Sequence, residues 1–322
     1  MKTQEYTDLL LQEIHKIFVG KDKQLRLMIM AFLSDGHILL DDFPGTGKTT
    51  LVKTMALALG LSESRIQFTP DLLPSDIIGT TIFNQSTNSF TFKKGPVHTQ
   101  ILLADEINRA IPRTQSALLE AMEEGQVTVD GTTMTLPEHF CVIATQNPVE
   151  RESTFKLPAA QMDRFFLRIS LGYPDEAEEI SIISNLGTAI PYDRICPVGT
   201  IEDLHSVTDE ISRVLVSEPV KTYLVRLVQH TRNHPGLLQG ASPRASRALF
   251  RGIMTWAAMA GRDYCIPEDV QAIWSAVMEH RIVLTNEALY QKQTGADILS
   301  QILTDTPVPP EKEEFFHAAK AE

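Results

Sequence analysis

The chain has 322 residues, 43% apolar and 22% charged, the balance of a soluble globular protein long enough for two domains. Its formal charge of −12 argues against general nucleic-acid binding, which draws affinity from Lys and Arg on phosphates. No apolar run approaches the roughly 18 residues that span a bilayer, so no direct membrane insertion is expected.

Met1 to Gly20 mixes Glu5, Asp8, Glu13 and Lys16 into its apolar residues, which reads as an amphipathic helix and not a signal peptide. His37 to Thr50 is the most informative stretch. A short apolar run suits a buried parallel strand, Pro44-Gly45-Thr46-Gly47 is a tight turn, and Thr49 to Leu59 has helical spacing with Gly60 as the stop. These are the parts of a phosphate-binding loop, in which backbone N–H groups and a helix N-terminus receive phosphate oxygens. Lys48 is expected to reach the outer phosphates, and the Thr49 hydroxyl to complete a magnesium shell. The strict Gly-x-x-x-x-Gly-Lys-Thr pattern has Asp42 at its first position here. A carboxylate at that point is expected to weaken nucleotide binding slightly without removing the site.

Arg65 to Phe68 is a short strand candidate, and Thr69 to Asp76 a loop by its two prolines. Thr80 to Val97 reads as a hairpin. Gln100 to Glu106 is a buried strand delivering Asp105 and Glu106 at its C-terminal end, where ligands sit in open parallel sheets. Beside a phosphate-binding loop, Asp105 suits Mg²⁺, and Glu106 suits accepting a proton from the attacking water. Pro112 to Glu124 is a helix stopped at Gly125, Val127 to Thr135 a hairpin around Asp130-Gly131, and Phe140 to Thr145 a buried strand. Asn147 follows that strand, placed to contact the water or the γ-phosphate; a strand-end Asn in a turn is the plainer alternative. Phe165 to Ile169 is a fifth strand candidate.

Beyond Tyr173-Pro174 strand signals fade. Helices are expected over 176–185, 220–232, 243–261 and 267–280. Ser242-Pro243 caps one of them and puts Arg244 in its first turn, against the helix dipole, which points to an anionic partner or a paired carboxylate. His230 and His234 are four apart, but no third ligand is evident. Cys141, Cys196 and Cys265 form no Cys-x-x-Cys pair, so three reduced thiols, a cytoplasmic location and no zinc site are expected.

Read in series, these stretches resemble the MoxR family of AAA+ ATPases, in the helix-2-insert clade. They are Phe43-Pro-Gly-Thr-Gly-Lys-Thr49, Gln67 to Asp76, Leu103 to Ala110, Gln115 to Glu123, Ala144-Thr-Gln-Asn-Pro148, Leu157 to Phe165 and Gly240-Ala-Ser-Pro-Arg244. The resemblance implies an α/β fold: an αβα core with a five-stranded parallel sheet in the order 5-1-4-3-2, then an all-helical lid. It divides the chain into a core over 1–173, a lid over 174–305 and a Pro/Glu-rich tail over 306–322. It implies ATP hydrolysis with Mg²⁺ held by Thr49 and Asp105, and ATP bound between core and lid. Pro44, Gly45, Thr46, Gly47, Lys48, Thr49 and Thr50 match the phosphate loop, and Val19-Gly20 the segment beside the adenine. Glu106 matches the catalytic acid, Asn147 sensor 1, Arg164 the arginine finger and Arg244 sensor 2. The Thr80–Val97 hairpin matches the helix-2 insert, and Val127–Thr135 the hairpin before sensor 1. The resemblance also implies a ring, commonly hexameric, and chaperone-like remodelling of protein complexes with a von Willebrand factor type A domain partner. A nucleotide-switched scaffold and a DNA motor are the alternatives. Glu106 argues against the first, and uncharged hairpin tips against the second.

Overall fold

The computed structural model describes residues 1–86, 88–147, 155–184 and 191–309. The nucleotide-loop half contains β1 (Ile38–Asp41), β2 (Glu63–Gln67), β3 (Gly79–Asn84), β4 (Ser89–Lys94), β5 (Ile101–Asp105), β6 (Gln126–Val129), β7 (Thr132–Thr135), β8 (Cys141–Gln146) and β9 (Leu167–Ile169). Five of these form one sheet in the order β2-β5-β8-β1-β9, every pairing parallel. Counting the sheet's own strands alone, this is 5-1-4-3-2, as expected. β3–β4 and β6–β7 are separate antiparallel hairpins.

The apolar runs become central strands because helices cover both faces of a parallel sheet. Alternate side chains go to opposite faces. Ile38 and Leu40 join one buried cluster, and Leu39 joins the other. The smaller cluster packs one face against α5 (Pro112–Glu124). The larger takes in α1 (Thr3–His15), α2 (Asp22–Leu33) and α3 (Lys48–Leu59). It continues without a break into α8 (Ile201–Ser212), α9 (Glu218–Asn233), α10 (Pro243–Met259), α11 (Pro267–Met278) and α13 (Gly295–Asp305). The chain direction changes character at Tyr173, but the hydrophobic interior crosses that point. Helix α1 is the bridge: Thr3 donates from backbone and hydroxyl to Glu210 of α8, at 2.6 and 2.7 Å.

Several elements depart from expectation. Pro74, inside the expected loop, opens the short α4 (Pro74–Ile78), where a first-turn proline loses no hydrogen bond. Between Glu106 and α5 lies one 3₁₀ turn, Ile107–Arg109. A short helix α6 (Ala159–Met162) precedes β9, whereas α7 (Glu176–Ser184), which follows it, is the helix expected over 176–185. α8, α12 (Asn286–Tyr290) and α13 were outside the expected set. Both α8 and α13 start from capping boxes, Thr200 with Asp203 and Thr294 with Asp297. The helical region also holds a two-stranded ladder of β10 (Leu237–Gln239) and β11 (Val283–Leu284), so it is mostly, not wholly, helical. Pro148, which closes the Ala144–Pro148 motif, and the tail beyond Pro309 lie outside the described residues.

Candidate active site

β1 ends at Asp41 and the chain turns through 42–47 into α3. Gly45 and Gly47 take φ of 86° and 80°, the left-handed region that glycine enters without steric cost. The loop opens on a cleft of about 460 Å³ at the C-terminal edge of the sheet. Pro44, Gly45, Gly47, Lys48, Thr49 and Thr50 line one wall, and Asp105, Glu106 and Asn147 the other. Thr46 faces inward, its hydroxyl donating to the Phe43 carbonyl at 3.3 Å. The Lys48 ammonium lies over the loop, donating to the carbonyls of Phe43 at 2.7 Å and Asp42 at 3.1 Å.

The acidic wall is more tightly held than the sequence implied. Thr145 Oγ1, at the end of β8, donates to Asp105 Oδ1 at 2.6 Å and accepts from the Glu106 N–H at 2.8 Å. Arg65 of β2 donates to the other Asp105 oxygen at 2.7 Å. Gln67 and Arg109 donate to Glu106 Oε2 at 2.6 and 2.8 Å. Glu106 has φ 55° and ψ 50°, a left-handed conformation costing a non-glycine residue roughly 1–2 kcal/mol. That turn throws its carboxylate into the cleft at the strand end. Gln115, fully buried on α5, fixes the following segment by donating to the carbonyls of Ile107, Ala110 and Phe155 at 3.0–3.1 Å.

The donor set suits a magnesium–nucleotide: backbone amides and an ammonium for phosphate oxygens, a hydroxyl and a carboxylate for a hard cation. Asp42 is among the residues lining the cleft, but its carboxylate is engaged elsewhere. Its side chain turns away from the cleft and is 1% exposed. It accepts from Ser170 Oγ and the backbone N–H groups of Leu171 and Gly172, at 2.7, 2.7 and 2.9 Å.

Val19 and Gly20 do not line the cleft itself. Their neighbours touch it: the Phe18 ring sits 3.2 Å from where a Cβ on Gly47 would stand. Lys21 donates to the Tyr173 carbonyl at 2.8 Å, and Tyr173 stacks on Phe43 with ring centroids 5.5 Å apart. Arg164 and Arg244 are elsewhere. Arg164 donates to the Leu119 carbonyl at 2.6 Å and pairs with Glu123 at 3.1 Å, not with Asp163. Arg244 pairs with the other oxygen of the same Glu123. Asp163 is taken by Arg281 at 2.7 Å and Ser242 at 2.8 Å. Arg164 precedes β9, and the carbonyl of Met122, next to Glu123, meets His37 at the start of β1. Both arginines therefore occupy the N-terminal edge of a sheet whose cleft is at the C-terminal edge. β1 alone separates the edges by roughly 13 Å. Of the two readings of Arg244's first-turn position, an anionic partner or a paired carboxylate, the described contacts show the carboxylate, Glu123.

Comparison with known proteins agrees with this geometry. Residues 37–167 match the model of the ATPase family associated with various cellular activities, and residues 229–302 match that of the AAA lid domain. Chaperone MoxR1 of Mycobacterium tuberculosis is 40% identical over 306 residues, covering 92% of this chain and 81% of that protein. The chain belongs to the MoxR family of AAA+ ATPases. An uncharacterized Bacillus subtilis protein, YeaC, is 44% identical over 92% of this chain and 93% of its own length. The crystal structure of a candidate ATPase from Cytophaga hutchinsonii superposes with a TM-score of 0.89 at 38% identity, covering 96% of both chains. This MoxR-family chain is a chaperone-like, nucleotide-binding ATPase. Arg65, Gln67 and Thr145 are the cleft residues that sequence reasoning passed over. Gln67 and Thr145 lay inside the matching motifs, but only the cross-strand contacts reveal what they hold.

Proposed function

We propose that the chain works as a ring, commonly hexameric, whose ATP hydrolysis remodels or matures protein complexes together with a von Willebrand factor type A domain protein. The observation that carries the ring is the pairing of Arg164 and Arg244 on Glu123, a strand's length from their own cleft. Two guanidiniums held at one exposed edge suit delivery to the γ-phosphate of a neighbour's nucleotide. In this reading 1–173 is the core, 174–305 the lid and 306–322 the tail. Free thiols at Cys141, Cys196 and Cys265 suit the cytoplasm.

Lys48 and the loop amides bind the β- and γ-phosphates. Thr49 and Asp105 would hold Mg²⁺, which when bound neutralises phosphate charge. Glu106 takes the proton of the attacking water, Asn147 orients that water, and Arg65 and Thr145 keep Asp105 in place. The relatives named as chaperones support a protein client. Hairpin tips without Lys or Arg support a client other than nucleic acid, since Asp130-Gly131 tips one and Asn84 to Asn88 the other, with Lys93 and Lys94 at its base. No described helix is long and apolar enough to cross a membrane.

The test is Glu106→Gln, expected to bind ATP and turn over very slowly. Used as bait with ATP, it should retain client and partner proteins that wild type releases. Near-normal turnover in this variant, or identical retention by both proteins, would refute the reading.

A further inference from the structure

Away from the nucleotide cleft, side chains far apart in sequence converge on one point. Glu138 and His139 stand in the loop between β7 and β8, and His205 stands on α8. One ligand atom from each lies within 4.8 Å of the others, and no other such group occurs among the described residues. The imidazole rings of His139 and His205 are 5.5 Å apart between centroids, tilted by 42°. Glu138 Oε1 is 3.3 Å from His205 Nε2.

The two imidazoles are poorly served by the protein alone. Both Nε2 atoms are sealed from solvent: that of His139 has no hydrogen-bond partner, and that of His205 faces only the Glu138 carboxylate. The His139 side chain is only 8% exposed and lies beside the Phe32 ring. A buried ring nitrogen left without a partner, as His139 Nε2 is, destabilises the fold, and a cation would offset that cost. The other ring nitrogen of His139 turns to Asp35 Oδ1 at 3.8 Å, and Asp35 is itself held by Arg251 at 3.0 Å. A carboxylate behind the far nitrogen fixes the tautomer of a ligating histidine and raises its basicity.

We propose that Glu138, His139 and His205 form a binding site for a borderline divalent cation, Zn²⁺ foremost, with Asp35 as the carboxylate behind His139. Two imidazoles and one carboxylate suit Zn²⁺, whereas Mg²⁺ and Ca²⁺ prefer oxygen ligands throughout. Three protein ligands leave a fourth position for water. The expectation of no zinc site rested on cysteine spacing and could not see this set. The cation would join α8 to the loop ahead of β8. Through Asp35 and Arg251, the same cluster reaches the turn before β1 and helix α10. The site thus clips the helical region to the sheet, and its occupancy restrains their relative motion.

The plainer arrangement is two ion pairs, His205 with Glu138 and His139 with Asp35, needing no metal. The full chain, stripped by chelator and free of nucleotide, separates the two. Titration with Co²⁺ should give one equivalent of bound metal with the visible absorption of four-coordinate cobalt, displaced by Zn²⁺. Zn²⁺ should raise the melting temperature. His205→Ala, at a half-exposed position, should keep the helical circular dichroism of wild type. It should weaken binding at least tenfold and abolish the melting shift. Glu138→Gln, at an exposed carboxylate that cannot unfold the chain, should weaken binding with the two imidazoles intact. No stoichiometric binding by wild type, or a cobalt spectrum unchanged in His205→Ala and Glu138→Gln, would overturn the proposal.

Discussion

Asp42 stands where the strict phosphate-loop pattern has glycine, and its carboxylate serves as a buried acceptor for three donors of the 170–172 turn. Restoring the pattern with Asp42→Gly should therefore do harm. Two backbone N–H groups and a hydroxyl would lose their acceptor, costing about 2–4 kcal/mol. Urea unfolding checks the loss, and calorimetry should show no gain in ATP affinity; a tighter-binding variant of unchanged stability would contradict this. Thr145 is the second residue whose role the fold alone reveals. Thr145→Val keeps the volume but removes the donor to Asp105 and the acceptor for the Glu106 N–H. Turnover should fall roughly 10–100-fold, the usual cost of losing a supporting contact to a ligand or catalytic group. Steady-state assays that find wild-type kcat would remove Thr145 from the catalytic support.

At the level of elements, buried strands were the legible part. A parallel sheet covered on both faces needs uninterrupted apolar runs, so 38–40, 101–104 and 141–144 declare themselves. The supporting contacts were illegible because they depend on register between strands distant in sequence. The β2–β5 ladder sets Gln67 opposite Asp105, and no local pattern encodes that pairing. α8 was missed because it buries only Leu204, Val207 and Ile211 among polar neighbours, a thin apolar stripe whose capping box was the better signal. His37 shows how a strand end is locked. Its Nδ1 accepts from the Val142 N–H and its Nε2 meets the Met122 carbonyl, both at 3.0 Å, which fixes a neutral ring. Burial pushes this histidine down from 6.5 to about 4. A depressed histidine contributes stability that is complete above the unfolded value and lost as pH falls towards the folded one. Between pH 6.5 and 4, wild type should thus lose roughly 3 kcal/mol more than His37→Gln. Parallel pH profiles of urea stability for the two proteins would contradict that assignment.

For the whole molecule, the decisive feature is the placement of charge on opposite edges of one sheet. The cleft holds Lys48, Asp105 and Glu106 at the C-terminal edge. Arg164 and Arg244 share Glu123 at the other, so neither arginine lines its own chain's nucleotide cleft. The family resemblance already implied that Arg164 lies on the far side of the subunit from its own cleft; that Arg244 shares this edge through Glu123 depends on contacts between distant segments and was not legible. The helical region reinforces this layout: Arg281 and Ser242 grip Asp163, next to Arg164, from either side. An arginine supplied across an interface is worth roughly 10³–10⁵ in rate. The direct measurement mixes Lys48→Ala, expected to lose ATP binding, with Arg164→Ala, expected to bind ATP without hydrolysing it. In mixed rings some interfaces pair an intact Lys48 cleft with a neighbour's intact Arg164, so ATPase activity should return in part. Mixed rings that demonstrably form yet stay inactive would contradict the account.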